Sequence, residues 1–231
     1  MARRMLALLA HPDDETFIFG GTIAHYAKQG VRITIVSATK GEMGRRMGNP
    51  PFITRESMPA VREQELREAC RILGAEEPVF LGIHDKLVEF ENPERLAERL
   101  RRIIQNIDPE VVFTFHPVWG GHPDHCAIGR AAVRAVEELE EAVQPPLYFI
   151  SFGNPLKRSA WNSLQEADVV KVDVSDSLTE KLHAFRAHRT QTELEDWVWR
   201  PDEEAIRKFN RYEYFIAGND KARAQGGGGF G

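Results

Sequence analysis

Two short stretches of the chain concentrate side chains that can do chemistry. AHPDDE, residues 10–15, ends an apolar run with one imidazole and three carboxylates. GGHPDH, residues 120–125, repeats the His-Pro-Asp element and adds a second histidine. Either cluster alone reads as a helix start, because proline suits a first turn and acids favour the positive N-terminal end of the helix dipole. Two such clusters, each following a strand, are hard to explain by capping. A catalytic zinc takes three protein ligands from His and Asp/Glu and leaves a position for water. His11 and Asp14 are three residues apart, near one helical turn, so both can face one ion, and His125 can supply the third ligand. Asp13 then stays unbound beside the metal, placed to take a proton from metal-bound water, whose pKa the ion lowers to about 7. His122 is left to polarise or protonate a substrate, and Asp124 to hold an imidazole in orientation.

The elements around these clusters must bring them together. Residues 5–10 read as a buried strand, 22–30 as a helix ending at Gly30, and the alternating, β-branched 31–39 as a second strand. Residues 40–59, rich in Gly and Pro, read as a long loop, a kind that is often functional. Val61, Leu66, Ala69, Ile72 and Leu73 have helical spacing over 61–74. PVFLGI is a third strand, 93–107 a helix with Pro93 near its start, 110–115 a fourth strand, and 126–142 a helix. PLYFIS and DVVKVDV are later strands, and SLTEKLHAFRAH is a helix starting near Ser177. Strands and helices thus alternate, which predicts an α/β, Rossmann-like fold: a mostly parallel sheet with helices on both faces. In such sheets ligands bind beyond the carboxyl ends of the strands. AHPDDE, KGEMGR and FHPVWGGHPDH follow strands one, two and four, so topology places them on one rim.

The chain of 231 residues is 42% hydrophobic and carries a formal charge of -5 with acids and bases interspersed. That composition suits one domain over residues 1–225, with a disordered Gly-rich tail at 226–231. No basic run points to nucleic acid, and no stretch of 18 apolar residues spans a membrane. Arg3 and Arg4 before a short apolar run imitate a secretory signal, but the run lacks a cleavage site and leads into His11. Cys70 and Cys126 lie far apart and fit a reducing, cytoplasmic setting, with Cys126 read as a small buried residue rather than a ligand. The turn after the first strand carries no G-x-G-x-x-G, and no G-x-x-x-x-G-K-[ST] loop or G-x-S-x-G elbow occurs, which argues against nucleotide and serine-hydrolase chemistry.

AHPDDE together with HPDH resembles the LmbE-like (PIG-L) family of zinc-dependent N-deacetylases, which cleave N-acetyl groups from glucosamine-containing substrates. A third element, KLHAFRAHRTQ at 181–191, is similar to a further family stretch, with Thr190 in place of a serine. The resemblance covers nearly the whole chain. It implies His11, Asp14 and His125 as metal ligands, Asp13 as general base, His122 as stabiliser of the tetrahedral intermediate, and Asp124 as the residue that orients its neighbours. Zinc is the implied metal, although ferrous iron accepts similar N/O donors. Residues 41–66 resemble the second type of bacillithiol-biosynthesis deacetylase, which acts on N-acetylglucosaminyl-malate. That resemblance implies that Arg62 binds the malate carboxylates, and a guanidinium suits that task. The plainer reading of Arg62 is an intrahelical pair with Glu65 or Glu68. Some relatives carry a tyrosine where this chain has Gly120. The implied partner is a small-molecule amino-sugar glycoside, with no nucleic acid or membrane, and relatives suggest a homo-oligomer such as a hexamer. Alternatives are an amidase of bacillithiol S-conjugates, a deacetylase of another glycoside, and a non-catalytic sugar-binding module, which would not need Asp13. His25 and His84 read as surface or structural, and His116 as a supporting or strand-end residue. His188 either lines the site or supports a subunit contact, and Trp197 and Trp199 pack a strand or turn.

Overall fold

A computed structural model describes residues 3–48, 50–158, 164–226 and 229–230. The run Met5–Leu9 is continuously buried, as a strand covered on both faces must be. It forms β1 (Arg4–Leu9), followed by α1 (Asp14–Ala27), β2 (Arg32–Ser37), α2 (Met58–Leu73), β3 (Val79–Phe80), α3 (Pro93–Ile107), β4 (Val111–Thr114), α4 (Pro123–Glu137) and β5 (Leu147–Ser151). The remainder is β6 (Val169–Asp173), α5 (Leu178–Ala187), α6 (Arg189–Thr192), α7 (Asp202–Ile206), β7 (Tyr212–Ala217) and α8 (Asp220–Gln225). The sheet order is β3-β2-β1-β4-β5-β7-β6. The first five strands are parallel, and β7 runs antiparallel between β5 and β6.

Helices α1, α2 and α5 pack on one another, α3 packs on α4, and both groups touch the central β1. The α/β, mostly parallel architecture is therefore as expected. α3 shows the local logic: the Asn92 side chain accepts the Arg95 N–H at 2.9 Å, Pro93 occupies the first turn, and Leu96, Leu100 and Ile104 bury one stripe.

Three expectations shift. The first helix begins at Asp14, not near residue 22. The TFIFGG stretch looks unlike helix, yet Gly21 is needed there because a Cβ would stand 2.7 Å from Val174 Cβ. β3 is two residues long, and YEYFIA, not expected as a strand, forms β7. Finally, the 226–231 tail is not wholly disordered. Phe230 is 2% exposed and its ring lies 4.7 Å from Phe113 and 4.8 Å from Tyr148, while its N–H donates to Tyr26 Oη at 3.0 Å. An aromatic side chain this size is held by the area it buries, despite the glycines before it. Residues 227, 228 and 231 lie outside the described residues.

β1 is flanked by β2 on one side and β4 on the other, so the chain changes direction of winding between β1 and β4. A crevice opens at the carboxyl ends of strands at such a switch point. His11 follows β1 there, and the loop from His116 to His122 follows β4. Among the described residues no helix is long and apolar enough to cross a membrane.

Candidate active site

The connection from β1 to α1 is short, and Asp14 opens the helix with its carboxylate folded back. Oδ2 accepts the N–H of His11 at 2.8 Å and of Ala10 at 3.2 Å. Oδ1 faces His125 Nε2 at 3.2 Å. His125 sits in the first turn of α4. Its Nδ1–H donates to the Gly120 carbonyl at 2.8 Å, and its ring stacks on Phe115 with centroids 3.7 Å apart and planes 7° apart. The carbonyl contact fixes the tautomer and leaves Nε2 as the free nitrogen. That nitrogen lies 3.2 Å from His11 Nδ1, which is 3.7 Å from Asp14 Oδ2. In a tetrahedral zinc site with bonds of about 2.0–2.1 Å, ligand atoms stand about 3.3 Å apart. The three donors expected from the sequence thus converge at separations that fit one small dication.

Around them is a shell of carboxylates. His11 Nε2 lies 3.2 Å from Asp124 Oδ2 and 3.2 Å from Asp85 Oδ1. Asp124 is itself held by the N–H of Lys86 at 2.8 Å and of Glu89 at 3.3 Å, and Asp85 by the N–H of Met43 at 3.0 Å. Asp124 therefore orients His11. Burial alone would lower the His11 pKa, but the hydrogen bonds to Asp124 and Asp85 and the charge of Asp14 outweigh it and raise it to about 10. Burial would raise Asp14, but the His125 charge and hydrogen bond, with His11, hold it at about 2. The cavity is thus built to stabilise positive charge at its centre.

Asp13 is neighbour to Asp14 but takes no part in this cluster. Its backbone is left-handed, at φ 112° and ψ -25°, a conformation that costs a non-glycine residue about 1–3 kcal/mol. Although Asp13 is the N-cap of α1, its side chain makes no capping bond. Its Oδ2 accepts instead from Arg62 Nη2 at 2.9 Å. Burial raises the Asp13 pKa to about 6 against the opposing charge of Arg62. Arg62 also donates to the Pro12 carbonyl and, at 3.0 Å, to the Gly41 carbonyl, and it is 4% exposed. Arg62, expected by resemblance to meet an aglycone, reaches the loop that carries Asp13. It makes no hydrogen bond or ion pair with Glu65 or Glu68, the plainer partners that the sequence offered. A buried cation on a helix aimed at a carboxylate 49 residues away leaves no trace in local spacing.

His122 is the N-cap of α4, and its Nδ1 accepts the Asp124 N–H at 3.2 Å. The proton of the neutral ring therefore resides on Nε2. Burial, then the charges of His11 and His125, lower its pKa. Its ring stands 5.0 Å from that of His11, edge to face. At Gly120 a Cβ would meet His125 Cβ at 2.9 Å and the His116 carbonyl at 3.1 Å, so this loop leaves no room there for a side chain.

Other candidates fall into supporting places. His116 Nδ1 accepts from Val118 and Trp119 N–H, each at 3.1 Å, and shapes the loop before the second cluster. Cys126 Sγ turns to the Val118 carbonyl at 3.4 Å. Trp197 packs on Phe185 and Phe209, and Trp199 donates Nε1–H to the Thr192 carbonyl at 3.0 Å. His188 is wholly buried against Glu15, so it neither faces solvent nor sits at a surface contact. Two residues were missed in the sequence: Asp85, whose only signal is an acid just after strand three, and Glu15, the third acid of AHPDDE.

Known proteins can now be set beside this geometry. A family model described as "PIG-L: GlcNAc-PI de-N-acetylase" matches residues 6–136, from β1 to the end of α4 with both His-Pro-Asp clusters inside. A Bacillus cereus protein named "Probable N-acetyl-alpha-D-glucosaminyl L-malate deacetylase 2" is 41% identical over 198 residues, covering 85% of this chain and 88% of that protein. The solved structure of N,N'-diacetylchitobiose deacetylase from Pyrococcus horikoshii shares the fold at TM-score 0.68 and 23% identity, covering 93% of this chain and 83% of that one. The 4-carboxy-2-hydroxymuconate hydratase of Pseudomonas putida KT2440 does so at TM-score 0.69 and 21% identity, over 94% and 96%. A hydratase and a deacetylase on one fold show that the fold alone does not decide the chemistry. The family match spans the elements that build the three-donor cluster, and the similarity to the B. cereus protein extends over most of the chain: this protein belongs to the PIG-L, GlcNAc-PI de-N-acetylase, family.

Proposed function

We propose that the protein is a metal-dependent N-deacetylase that hydrolyses the acetamide of N-acetylglucosaminyl-malate, releasing acetate and the free amino sugar, a step of bacillithiol biosynthesis. The observation that carries this reading is a three-donor cluster of His11, Asp14 and His125 with a fourth group, the Asp13 carboxylate, beside it and turned out of it. A binding module has no need of that fourth group. The activity for which the B. cereus relative is named supplies the substrate.

His11 Nδ1, Asp14 and His125 Nε2 would hold the ion, zinc or ferrous iron by their N/O character. A bound dication supplies Lewis acidity and makes water a nucleophile near neutral pH. Asp13 would accept a proton from the water that adds to the acetamide carbonyl. Arg62 on Oδ2 leaves Oδ1 of Asp13 for this transfer. His122 donates its Nε2–H to the oxygen that becomes anionic, an interaction strongest at the tetrahedral stage. Asp13 then returns its proton to the leaving nitrogen, and the C–N bond breaks. Asp124 and Asp85 keep His11 turned throughout. Phe152, whose ring lies 6.4 Å from that of His125, lines a cavity of about 340 Å³ together with Phe17 and Lys208. There an aromatic face can meet a sugar ring, and the Lys208 cation can meet carboxylates of the aglycone.

The test is acetate release by purified, metal-loaded protein on N-acetylglucosaminyl-malate beside plain N-acetylglucosamine. Faster turnover of the malate glycoside is expected. Absence of acetate from either substrate would sink the deacetylase reading.

A further inference from the structure

The third motif, KLHAFRAHRTQ, has no role in the chemistry above, yet its His188 reaches the last acid of AHPDDE, and the two are among the most deeply buried polar residues described. His188, at the junction of α5 and α6, and Glu15, in the first turn of α1, are both 0% exposed. They meet at 2.6 Å, His188 Nε2 to Glu15 Oε1, from positions 173 residues apart. The other oxygen of Glu15 accepts the backbone N–H of Asp13 at 3.0 Å. A buried ionic pair is a poor device for stability alone, because desolvation offsets much of its attraction. This one ends on the backbone N–H of Asp13, a non-glycine residue held left-handed at φ 112° and the candidate base.

The contacts close a ring. Thr190, two residues after His188, donates its N–H and its hydroxyl to the Glu65 carboxylate at 2.7 and 2.6 Å. Glu65 lies on α2 three residues from Arg62, whose guanidinium grips the Asp13 carboxylate at 2.9 Å. One arm of the ring therefore holds the Asp13 backbone and the other holds its side chain, while Asp14, the next residue, is bound by neither and turns to the metal donors.

We propose that Glu15 and His188 are positioning residues for Asp13. By capturing the Asp13 N–H they keep its backbone left-handed and so keep its carboxylate apart from that of Asp14. This rests on the reading of Asp13 as the base. Neither residue touches the substrate or the metal donors; both act through Asp13. The carboxylate of Glu15 also does what an N-cap side chain ordinarily does, satisfying a backbone donor at the helix start, and so releases the Asp13 side chain from capping.

The test is a double-mutant cycle on full-length, metal-loaded protein, read as kcat, KM and metal stoichiometry. In the parent background Glu15→Ala should lower kcat about 100-fold, leave KM within about threefold and keep one metal per chain. Glu15→Gln, which still offers an oxygen to the Asp13 N–H, should recover at least tenfold of that loss. In an Asp13→Asn background, Glu15→Ala should lower the residual rate by less than threefold, because there is no base left to position. The same cycle with His188→Leu, which keeps most of the buried volume, should give the same pattern and stands in if Glu15→Ala does not fold. Equal losses in both backgrounds, loss of metal, or an effect on KM alone would overturn the positioning role while leaving Asp13 as the base. Failure of both variants to fold would also overturn it, since the pair would then serve the fold. Should Asp13→Asn itself stay active, the underlying base assignment fails instead, a separate and recognisable result.

Discussion

Arg62 and Asp13, on α2 and on the loop that opens α1, meet through Nη2 and Oδ2 at 2.9 Å in a buried setting. From this contact we propose that Arg62 acts on Asp13 rather than on an aglycone. Arg62→Ala should therefore slow turnover of N-acetylglucosaminyl-malate and of an uncharged N-acetylglucosamine glycoside by the same factor. A charge-assisted hydrogen bond is worth about 1.5–3 kcal/mol, or roughly 10- to 150-fold. Steady-state kinetics on the two substrates decide it. A loss confined to the malate glycoside would return Arg62 to substrate recognition.

Gly120 should tolerate no side chain. Its carbonyl orients His125, and a Cβ would press on His125 Cβ at 2.9 Å. Gly120→Ala should weaken metal binding, as losing the partner that orients a ligand does, by about 10- to 100-fold. Overpacking should also lower stability by about 1–3 kcal/mol. Metal titration and thermal unfolding of the variant measure both effects. Parent-like metal affinity would show that the loop yields freely and that the Gly120 carbonyl does not set the imidazole.

Both His-Pro-Asp clusters and the rim they share were legible in the sequence because short motifs and strand-helix alternation are local signals. The convergence of His11, Asp14 and His125 followed from that topology. What was not legible depends on partners distant in the chain. Asp85 carries no motif, and its role arises from facing His11 across the crevice. Arg62 looked exposed to substrate because nothing nearby in sequence shows that a helix will aim it at Asp13. The start of α1 was hidden by TFIFGG, whose aromatic and glycine residues serve packing rather than propensity. β7 was missed for a related reason: it pairs antiparallel between β5 and β6, and that placement depends on strands distant in the chain.

Phe230 shows the same effect at the end of the chain. Its ring lies 4.9 Å from Phe215 and 5.8 Å from Tyr26, inside the core. Phe230→Ala should destabilise the protein by about 3 kcal/mol, in line with other buried phenylalanine truncations. Activity per folded molecule should stay at the parent level, because the residue lies at the opposite ends of the strands from the candidate site. Denaturant unfolding measures the first and acetate release the second. A stability unchanged from the parent would mean that the tail does not hold to the core in solution.

The division of labour between two adjacent aspartates is the centre of the account. The most direct test measures bound metal and acetate release for Asp13→Asn and Asp14→Asn under identical metal loading. Asp13→Asn should keep a full equivalent of metal and lose roughly 10²–10⁴-fold in kcat, the loss of a general base. Asp14→Asn should lose metal first and regain part of its activity as metal concentration rises. A fully metallated Asp13→Asn variant with near-parent activity would contradict the account and leave His122 as the group to examine next.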